Sequence, residues 1–245
     1  MAFSERQVKM KKTDPSGSIM FLFVFAESIL YVSFLALDLL SASGVLSAIL
    51  KYCSILLCFF FSLMSGRTRD RILITAALGL TAVADLFLLI LDSHYLTGVL
   101  CFCGVQMLYY CRILRAGGIS CLAFLPVRFL LTGCIFLLLG ILHIFDPLSA
   151  AGAFYFTQLL FNAAESLAVR RKNVQYTLFC TGLFLFICCD LCVGLSNLRS
   201  MAAYSVPEPV LSFAQIGMWL FYLPSQVLIT LSVFPDFSSC ISVSS

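Results

Sequence analysis

The sequence predicts an all-α fold: a polytopic transmembrane helical bundle of about eight membrane-spanning helices, with N- and C-termini in the cytoplasm. Three observations lead to this prediction. Apolar residues make up 61% of the 245 residues and charged residues only 11%, whereas soluble domains have about 45–50% and 25%. The apolar residues form eight long runs, and Lys and Arg residues concentrate at alternate connections between them.

Each predicted helix is a run of about 20 mostly apolar residues, the length that crosses about 30 Å of hydrocarbon. The runs cover residues 19–40, 44–65, 72–91, 95–114, 121–144, 148–169, 174–195 and 210–234. Helices are expected because each satisfies its own backbone hydrogen bonds in lipid, and no run alternates as a barrel strand does. The chain therefore divides into a polar basic cytoplasmic tail (1–18), an eight-helix transmembrane domain (19–234) and a short C-terminal tail (235–245).

The orientation follows from the Lys and Arg residues near the ends of the runs, which concentrate on the cytoplasmic side of membrane proteins. Twelve lie in the N-terminal tail and around the second, fourth and sixth connections: Arg6, Lys9, Lys11, Lys12, Arg67, Arg69, Arg71, Arg112, Arg115, Arg170, Arg171 and Lys172. Only Arg199 lies on the other side, while Lys51 and Arg128 lie within predicted spans. This distribution predicts that both termini are cytoplasmic.

Composition excludes several functional classes. The net charge of +3 is small, and no basic run is long enough to indicate nucleic-acid binding. The first apolar run is too long for a signal-peptide core and no A-x-A-like cleavage site follows it, so it is interpreted as a retained helix. Cys189-x-x-Cys192 lacks a second ligand pair, and most of the twelve cysteines lie in apolar runs. Neither a metal, a cofactor nor a disulfide framework is therefore expected.

Charged residues inside the spans are the first candidates for function, because burying them in hydrocarbon costs several kcal/mol unless they are paired or hydrated. At about 1.5 Å per residue, Asp85 lies roughly 20 Å and Asp190 roughly 24 Å from the cytoplasmic edge. Lys51 lies roughly 10 Å from the outer edge, so the three fall in one layer. A short Asp cannot reach the headgroups, which favours a functional role for both aspartates, whereas Lys51 can also snorkel outward.

Two spans carry further candidate residues, several of them polar, at helical spacing. They are Gly98, Phe102, Gln106 and Tyr109 on the fourth span, and Tyr222, Pro224 and Gln226 on the last. Such faces either line a binding site or hydrogen-bond to neighbouring helices. Arg128 and Glu165 are interpreted as snorkelling or structural ions, and Glu27 as a neutral acid hydrogen-bonded to another helix.

These elements, in this order, resemble the YhhN-like lysoplasmalogenase family, whose members have eight membrane helices. The similarity covers residues 51–232 and depends on five short patterns. They are Lys51 early in the second span, Ala84-Asp85 in the third, Gly98-x-x-x-Phe102-x-x-x-Gln106-x-x-Tyr109 in the fourth, Phe186-x-x-Cys189-Asp190 in the seventh and Tyr222-x-x-x-Gln226-x-Leu228-Ile229 in the last. The chain departs from the family pattern where Gln106 replaces a His, Ala84 a Gly and Cys189 a Ser, and where no Pro follows Lys51.

The resemblance implies a hydrolase that cleaves the vinyl ether bond of lysoplasmalogens to a fatty aldehyde and a glycerophospho-choline or -ethanolamine. Acid-catalysed hydration of a vinyl ether needs a proton donor, a negative charge near the oxocarbenium ion and a base for water. Two buried carboxyls meet these needs, which makes Asp85 and Asp190 the expected catalytic pair. The expected substrate-binding residues are Lys51, Gln106, Tyr109, Tyr222 and Gln226.

Two other functions fit the same residues. Intramembrane acids and a Lys also suit a small proton-coupled transporter, although the inverted repeats typical of transporters are not detectable in the sequence. Gln106 in place of His suits a catalytically silent relative that binds lipid. The expected partners are a lysophospholipid with one alkenyl chain and membrane lipid, with a homodimer as a candidate assembly. The expected location is the plasma membrane, or the endoplasmic reticulum in a eukaryotic cell.

Overall fold

The computed structural model describes residues 15–65, 68–117, 124–201 and 207–234, with their side chains except at 15–16 and 198–201. These ranges contain eight α-helices, as predicted, and no strand. The helices are α1 (Pro15–Leu39), α2 (Gly44–Leu63), α3 (Arg69–Asp85), α4 (Tyr95–Gly117), α5 (Leu125–Ile141), α6 (Pro147–Val169), α7 (Val174–Met201) and α8 (Glu208–Leu231). A π-helical turn, Leu86–Ile90, extends α3, and a 3-10 turn, Arg170–Lys172, follows α6.

The helix lengths confirm a multi-pass membrane bundle. Six helices, α1 to α4 with α7 and α8, are long and apolar enough to cross a membrane. The fifth has only 17 residues, fewer than the predicted span 121–144. The first helix begins inside the predicted tail, because Pro15 fits the first helical position, where its missing N–H breaks no hydrogen bond. The seventh helix continues past the predicted end at residue 195.

The predicted orientation of the termini stays a prediction. Several of the basic residues on which it depends lie outside the described residues: Arg6, Lys9, Lys11, Lys12, Arg67 and the side chain of Arg199. The two ends of the bundle can nevertheless be distinguished. We call the end that carries the connections α2–α3, α4–α5 and α6–α7 the basic end, and the other the opposite end.

Six helices form a closed ring, and two lie outside it. In the ring, α2, α3, α4, α6, α7 and α8 each pack against the next, and α8 returns to α2 and also touches α3. Outside the ring, α1 packs against α2 and α8, and α5 packs against α6. The outer helices present large apolar side chains outward, among them Phe21 on α1 (74% exposed) and Leu130 on α5 (69% exposed). An apolar exterior of this kind requires lipid around the bundle.

The proline inside α8 is compensated by a tyrosine of α1. Pro224 has no N–H, so the carbonyl of Leu220, four residues earlier, loses its helical partner. The Tyr31 hydroxyl donates a hydrogen bond to this carbonyl at 3.0 Å. The outer helix α1 is thereby attached to α8 close to the candidate site described below.

The contact between α7 and α8 depends on a glycine, which leads to a prediction. A Cβ atom on Gly182 would lie 2.7 Å from Ile229 Cγ1 and 3.1 Å from the Ser225 carbonyl oxygen. Because that carbonyl belongs to the backbone and cannot rotate away, Gly182→Ala is expected to lower the free energy of unfolding by about 1–3 kcal/mol. The measurement is reversible unfolding of the purified protein in detergent.

The matched control is Gly194→Ala on the same helix, where a Cβ atom would meet no described atom within 4 Å. This variant is expected to unfold like the wild type. Equal destabilisation by the two substitutions would show that close packing at Gly182 is unimportant.

Candidate active site

A cavity of about 360 Å³ lies among α3, α4, α6, α7 and α8, in the half of the bundle nearer the opposite end. Its walls are largely aliphatic and aromatic, with Phe102, Phe186, Met218 and Trp219 among them. The polar side chains in the lining are Asp85, Tyr95, Tyr155, Cys189, Asp190, Asn197 and Tyr222. The structure therefore brings the two predicted aspartates to one cavity, and among the described residues they are the only carboxylic acids in its lining.

Asp85 is the last residue of α3, immediately before the π-helical turn Leu86–Ile90. π-helical turns are rare and frequently occur at functional sites, because they change the direction of the side chains that follow. Asp85 is 5% exposed, and its carboxyl accepts a 2.6 Å hydrogen bond from the Tyr222 hydroxyl of α8. The sequence-predicted residue Tyr222 thus contacts one of the two aspartates directly.

Asp190 has a second tyrosine beside it. The Tyr155 hydroxyl of α6 lies close enough to the Asp190 carboxyl for the two groups to interact. Neither this hydroxyl nor Asp190 Oδ2 makes a hydrogen bond of ordinary geometry with any described residue. Cys189, the residue before Asp190, lines the same cavity as both aspartates. Two Asp–Tyr pairs and one Cys therefore form a single buried cluster.

The aromatic side chains of the cavity contact one another in a continuous series. Phe102 lies 5.6 Å from Tyr155 and 5.9 Å from Phe186, measured between ring centroids. Phe186 contacts Tyr222 at 5.6 Å, and Tyr222 contacts Trp219 at 5.6 Å. Edge-to-face and tilted contacts of this kind hold the rings in place. The carboxyl groups consequently face a largely apolar space.

Lys51, the predicted partner of the aspartates, does not line this cavity. Its ammonium group forms an ion pair with Asp38 Oδ2 at 2.8 Å and lies 4.4 Å from the centre of the Trp219 ring. Lys51 and Asp38 line a second cavity of about 480 Å³, and Met218 and Trp219 line both cavities. The predicted depth of Lys51 is compatible with this position, but the rotation of α2 directs it to the neighbouring space.

Three other predicted binding residues, Gln106, Tyr109 and Gln226, are fully buried but do not line the cavity of the aspartates. They lie one or two helical turns closer to the basic end than Phe102 and Tyr222, which do line it. Gln106 Oε1 accepts a 2.9 Å hydrogen bond from Asn162 Nδ2, so its amide nitrogen is oriented away from that bond. The structure therefore places these residues beneath the cavity, where a ligand in the cavity would not touch them directly.

Arg128 and Glu165 form a buried structural ion pair, with Arg128 Nε 3.0 Å from Glu165 Oε1. Arg128 also donates to Gln158 Oε1 at 2.8 Å and to Asn162 Oδ1 at 2.9 Å. Because Asn162 in turn holds Gln106, this network connects the outer helix α5 with the ring. Snorkelling of Arg128, the alternative interpretation, is contradicted by its 2% exposure.

The cavity lining includes residues to which the sequence assigned no role in the site, among them Tyr155, Cys189 and Trp219. Tyr155 lies one turn before Gln158 and two turns before Asn162 on the same helical face, and this row of polar residues in one span could have indicated it. Trp219, three residues before Tyr222, offered a similar signal. No group of three His, Cys, Asp or Glu residues with metal-binding geometry occurs in the part of the chain that the structure describes.

Comparison with known families supports the sequence resemblance. The model of the YhhN family matches residues 46–233 of the chain, a range that includes both aspartates and every residue lining their cavity. No curated protein and no solved structure matched the chain. The family match covers most of the sequence and seven of the eight helices in whole or in large part. The chain is therefore a member of the YhhN family of membrane proteins.

Proposed function

We propose that the protein hydrolyses the vinyl ether bond of lysoplasmalogens and releases a fatty aldehyde and a glycerophospho-choline or -ethanolamine. The main support is the meeting of Asp85 and Asp190 at one mostly apolar cavity inside the bundle. A volume of about 360 Å³ falls in the ordinary range of ligand pockets. Family membership favours a lysoplasmalogenase-like activity. We place the protein in the plasma membrane, or in the endoplasmic reticulum of a eukaryotic cell.

The surroundings of the two carboxyls suggest different roles. A hydrogen bond from a hydroxyl stabilises a carboxylate, and Asp85 accepts such a bond from Tyr222. Asp190 Oδ2 has no ordinary hydrogen-bond partner among the described residues, which leaves it available to a ligand. We therefore assign Asp190 as the proton donor and Asp85 as the anion that stabilises positive charge.

The proposed reaction returns both groups to their starting state. Asp190 protonates the alkenyl carbon distal to the ether oxygen, which gives an oxocarbenium ion next to the Asp85 carboxylate. Asp85 then accepts a proton from water as the water oxygen bonds to the cationic carbon, and a hemiacetal forms. In the collapse, the Asp190 carboxylate takes the hemiacetal hydroxyl proton while Asp85 protonates the departing glycerol oxygen. The products are the fatty aldehyde and the glycerophospho-choline or -ethanolamine.

The water for this reaction is supplied from beneath the cavity. Thr81 precedes Asp85 by one turn, Gln226 follows Tyr222 by one turn and Gln106 follows Phe102 by one turn, which places all three about 6 Å nearer the basic end. Each has a buried polar atom without a partner among the described residues: Thr81 Oγ1, Gln106 Nε2, and Gln226 Oε1 and Nε2. Buried polar groups are normally paired with protein or ordered water. These side chains therefore orient water rather than carry protons.

The test is aldehyde release from a lysoplasmalogen by the full-length protein in detergent. The saturated alkyl ether lysolipid is the substrate control, because it has no vinyl carbon to protonate. The double variant Asp85→Asn/Asp190→Asn is expected to release no aldehyde. Glu27→Gln is the matched control, since it changes a buried carboxyl that hydrogen-bonds to Ser54 away from the cavity, and it is expected to stay active. A folded wild-type protein without activity would contradict the proposal.

A further inference from the structure

The second cavity differs in character from the one that holds the aspartates. It lies at the opposite end of the bundle, where α1 ends and α2 and α8 begin, and encloses about 480 Å³. Its polar lining consists of Asp38, Ser41, Lys51 and Gln215. It therefore combines a cation and an anion at one end of the bundle, and lipid headgroups border both ends of a membrane-spanning bundle.

The ion pair in this cavity has unused binding capacity. Lys51 hydrogen-bonds to Asp38 among the described residues, which leaves two of its three N–H donors for a ligand. Asp38 also accepts a 2.5 Å hydrogen bond from the Ser47 hydroxyl. The carboxylate lies in the last turn of α1, where the partial negative charge of the helix end disfavours an anion. A carboxylate at the C-terminal end of a helix therefore needs a cation beside it.

Trp219 forms the wall between the two cavities. One of its contacts is the Lys51 ammonium, 4.4 Å from its ring centre, and another is the Tyr222 ring, which hydrogen-bonds to Asp85. Lys51 and Asp85 are thus separated by two aromatic rings. The two cavities are therefore close enough to hold adjacent parts of one lipid.

We propose that the second cavity is a headgroup subsite for a phosphate-ammonium zwitterion, in which Lys51 binds the phosphate and Asp38, with Trp219, binds the ammonium group. This inference rests on the proposed function, because it assigns the headgroup of the same lysolipid. A zwitterion replaces the Lys51–Asp38 pair with two new ion pairs and leaves no buried charge unpaired. The Trp219 ring offers the cation–π contact that quaternary ammonium groups favour. A phosphate without the amine would leave Asp38 without a cation.

Binding can be tested without hydrolysis. The probe is a short-chain ester-linked lysophosphatidylcholine, compared with lysophosphatidic acid and monoacylglycerol of the same chain. The readout is tryptophan fluorescence of the full-length protein in nonionic detergent, because Trp219 is the only tryptophan in the chain. We expect lysophosphatidylcholine to bind more tightly than the other two lipids.

Two variants test the roles of the charges. Asp38→Asn is expected to reduce the affinity ratio of lysophosphatidylcholine to lysophosphatidic acid by about tenfold, because only the first lipid has an ammonium group to lose its partner. The reversed pair Asp38→Lys/Lys51→Asp keeps an ion pair between α1 and α2 but exchanges the two charges. It is expected to retain the melting temperature of the wild type and to bind lysophosphatidylcholine at least about tenfold more weakly.

Two results would overturn the subsite. One is an unchanged affinity ratio in Asp38→Asn, and the other is wild-type binding of lysophosphatidylcholine by the reversed pair, which would make the pair purely structural. The result of the binding test does not depend on whether the protein is catalytically active. If the protein shows the expected binding preference but releases no aldehyde, the headgroup subsite is supported and the hydrolase proposal is rejected. If it releases aldehyde but lacks the binding preference, the hydrolase proposal is supported and the subsite is rejected.

Discussion

Asp190→Asn is expected to lower aldehyde release at neutral pH by about two to four orders of magnitude, the usual contribution of a positioned general acid. The amide is almost the same size as the carboxyl but cannot protonate the alkenyl carbon. Hydronium can replace the missing acid, so the residual rate of this variant should rise about tenfold for each unit by which the pH falls. The measurement is the initial rate of aldehyde release as a function of pH.

Asp85→Asn is the matched comparison, because it changes the other carboxyl of the same cavity. It is expected to lose a similar part of the activity but to recover none of it at low pH, since hydronium cannot replace an anion beside the oxocarbenium ion. Recovery by Asp85→Asn and not by Asp190→Asn would exchange the two roles. Wild-type rates in both variants would eliminate the carboxylate mechanism.

Arg128→Leu is expected to have the largest effect on stability, a loss of about 3–5 kcal/mol in the free energy of unfolding. The substitution leaves Glu165 as a buried carboxylate without its cation, and it also removes the donors to Gln158 and Asn162. The guanidinium group stacks on the Tyr110 ring at 4.1 Å, and this contact is lost as well. The measurement is unfolding of the purified protein in detergent.

The control for this prediction removes both charges at once. Arg128→Met/Glu165→Leu leaves no buried charge unpaired, and replacing a buried ion pair with apolar side chains is often neutral or stabilising. The double variant is therefore expected to recover most of the stability that Arg128→Leu loses. If both variants were equally unstable, the cause would be packing of α5 rather than an unpaired charge.

The number of helices and the depth of the two aspartates within them could be predicted from the sequence, because lipid imposes strict physical limits on a chain that crosses it. A chain in hydrocarbon must satisfy its backbone hydrogen bonds internally, so apolar runs of sufficient length become helices. The depth of a residue in a span follows from counting residues along the helix. For the same reason Asp85, Asp190 and Lys51 were expected in one layer, and the structure places all three in the half of the bundle nearer the opposite end.

Which residues share a cavity was decided by the tertiary structure alone. Depth along a helix axis is local information, but the rotation of each helix and the choice of its neighbours depend on packing among many side chains. Hence Lys51 faces Asp38 and Trp219 rather than the two aspartates, and Gln106 and Gln226 lie beneath the cavity. Tyr155 reaches Asp190 because α6 is next to α7 in the ring. The sequence by itself determined the helices and the depths of their polar residues, whereas only the packing of the helices decided which polar residues meet.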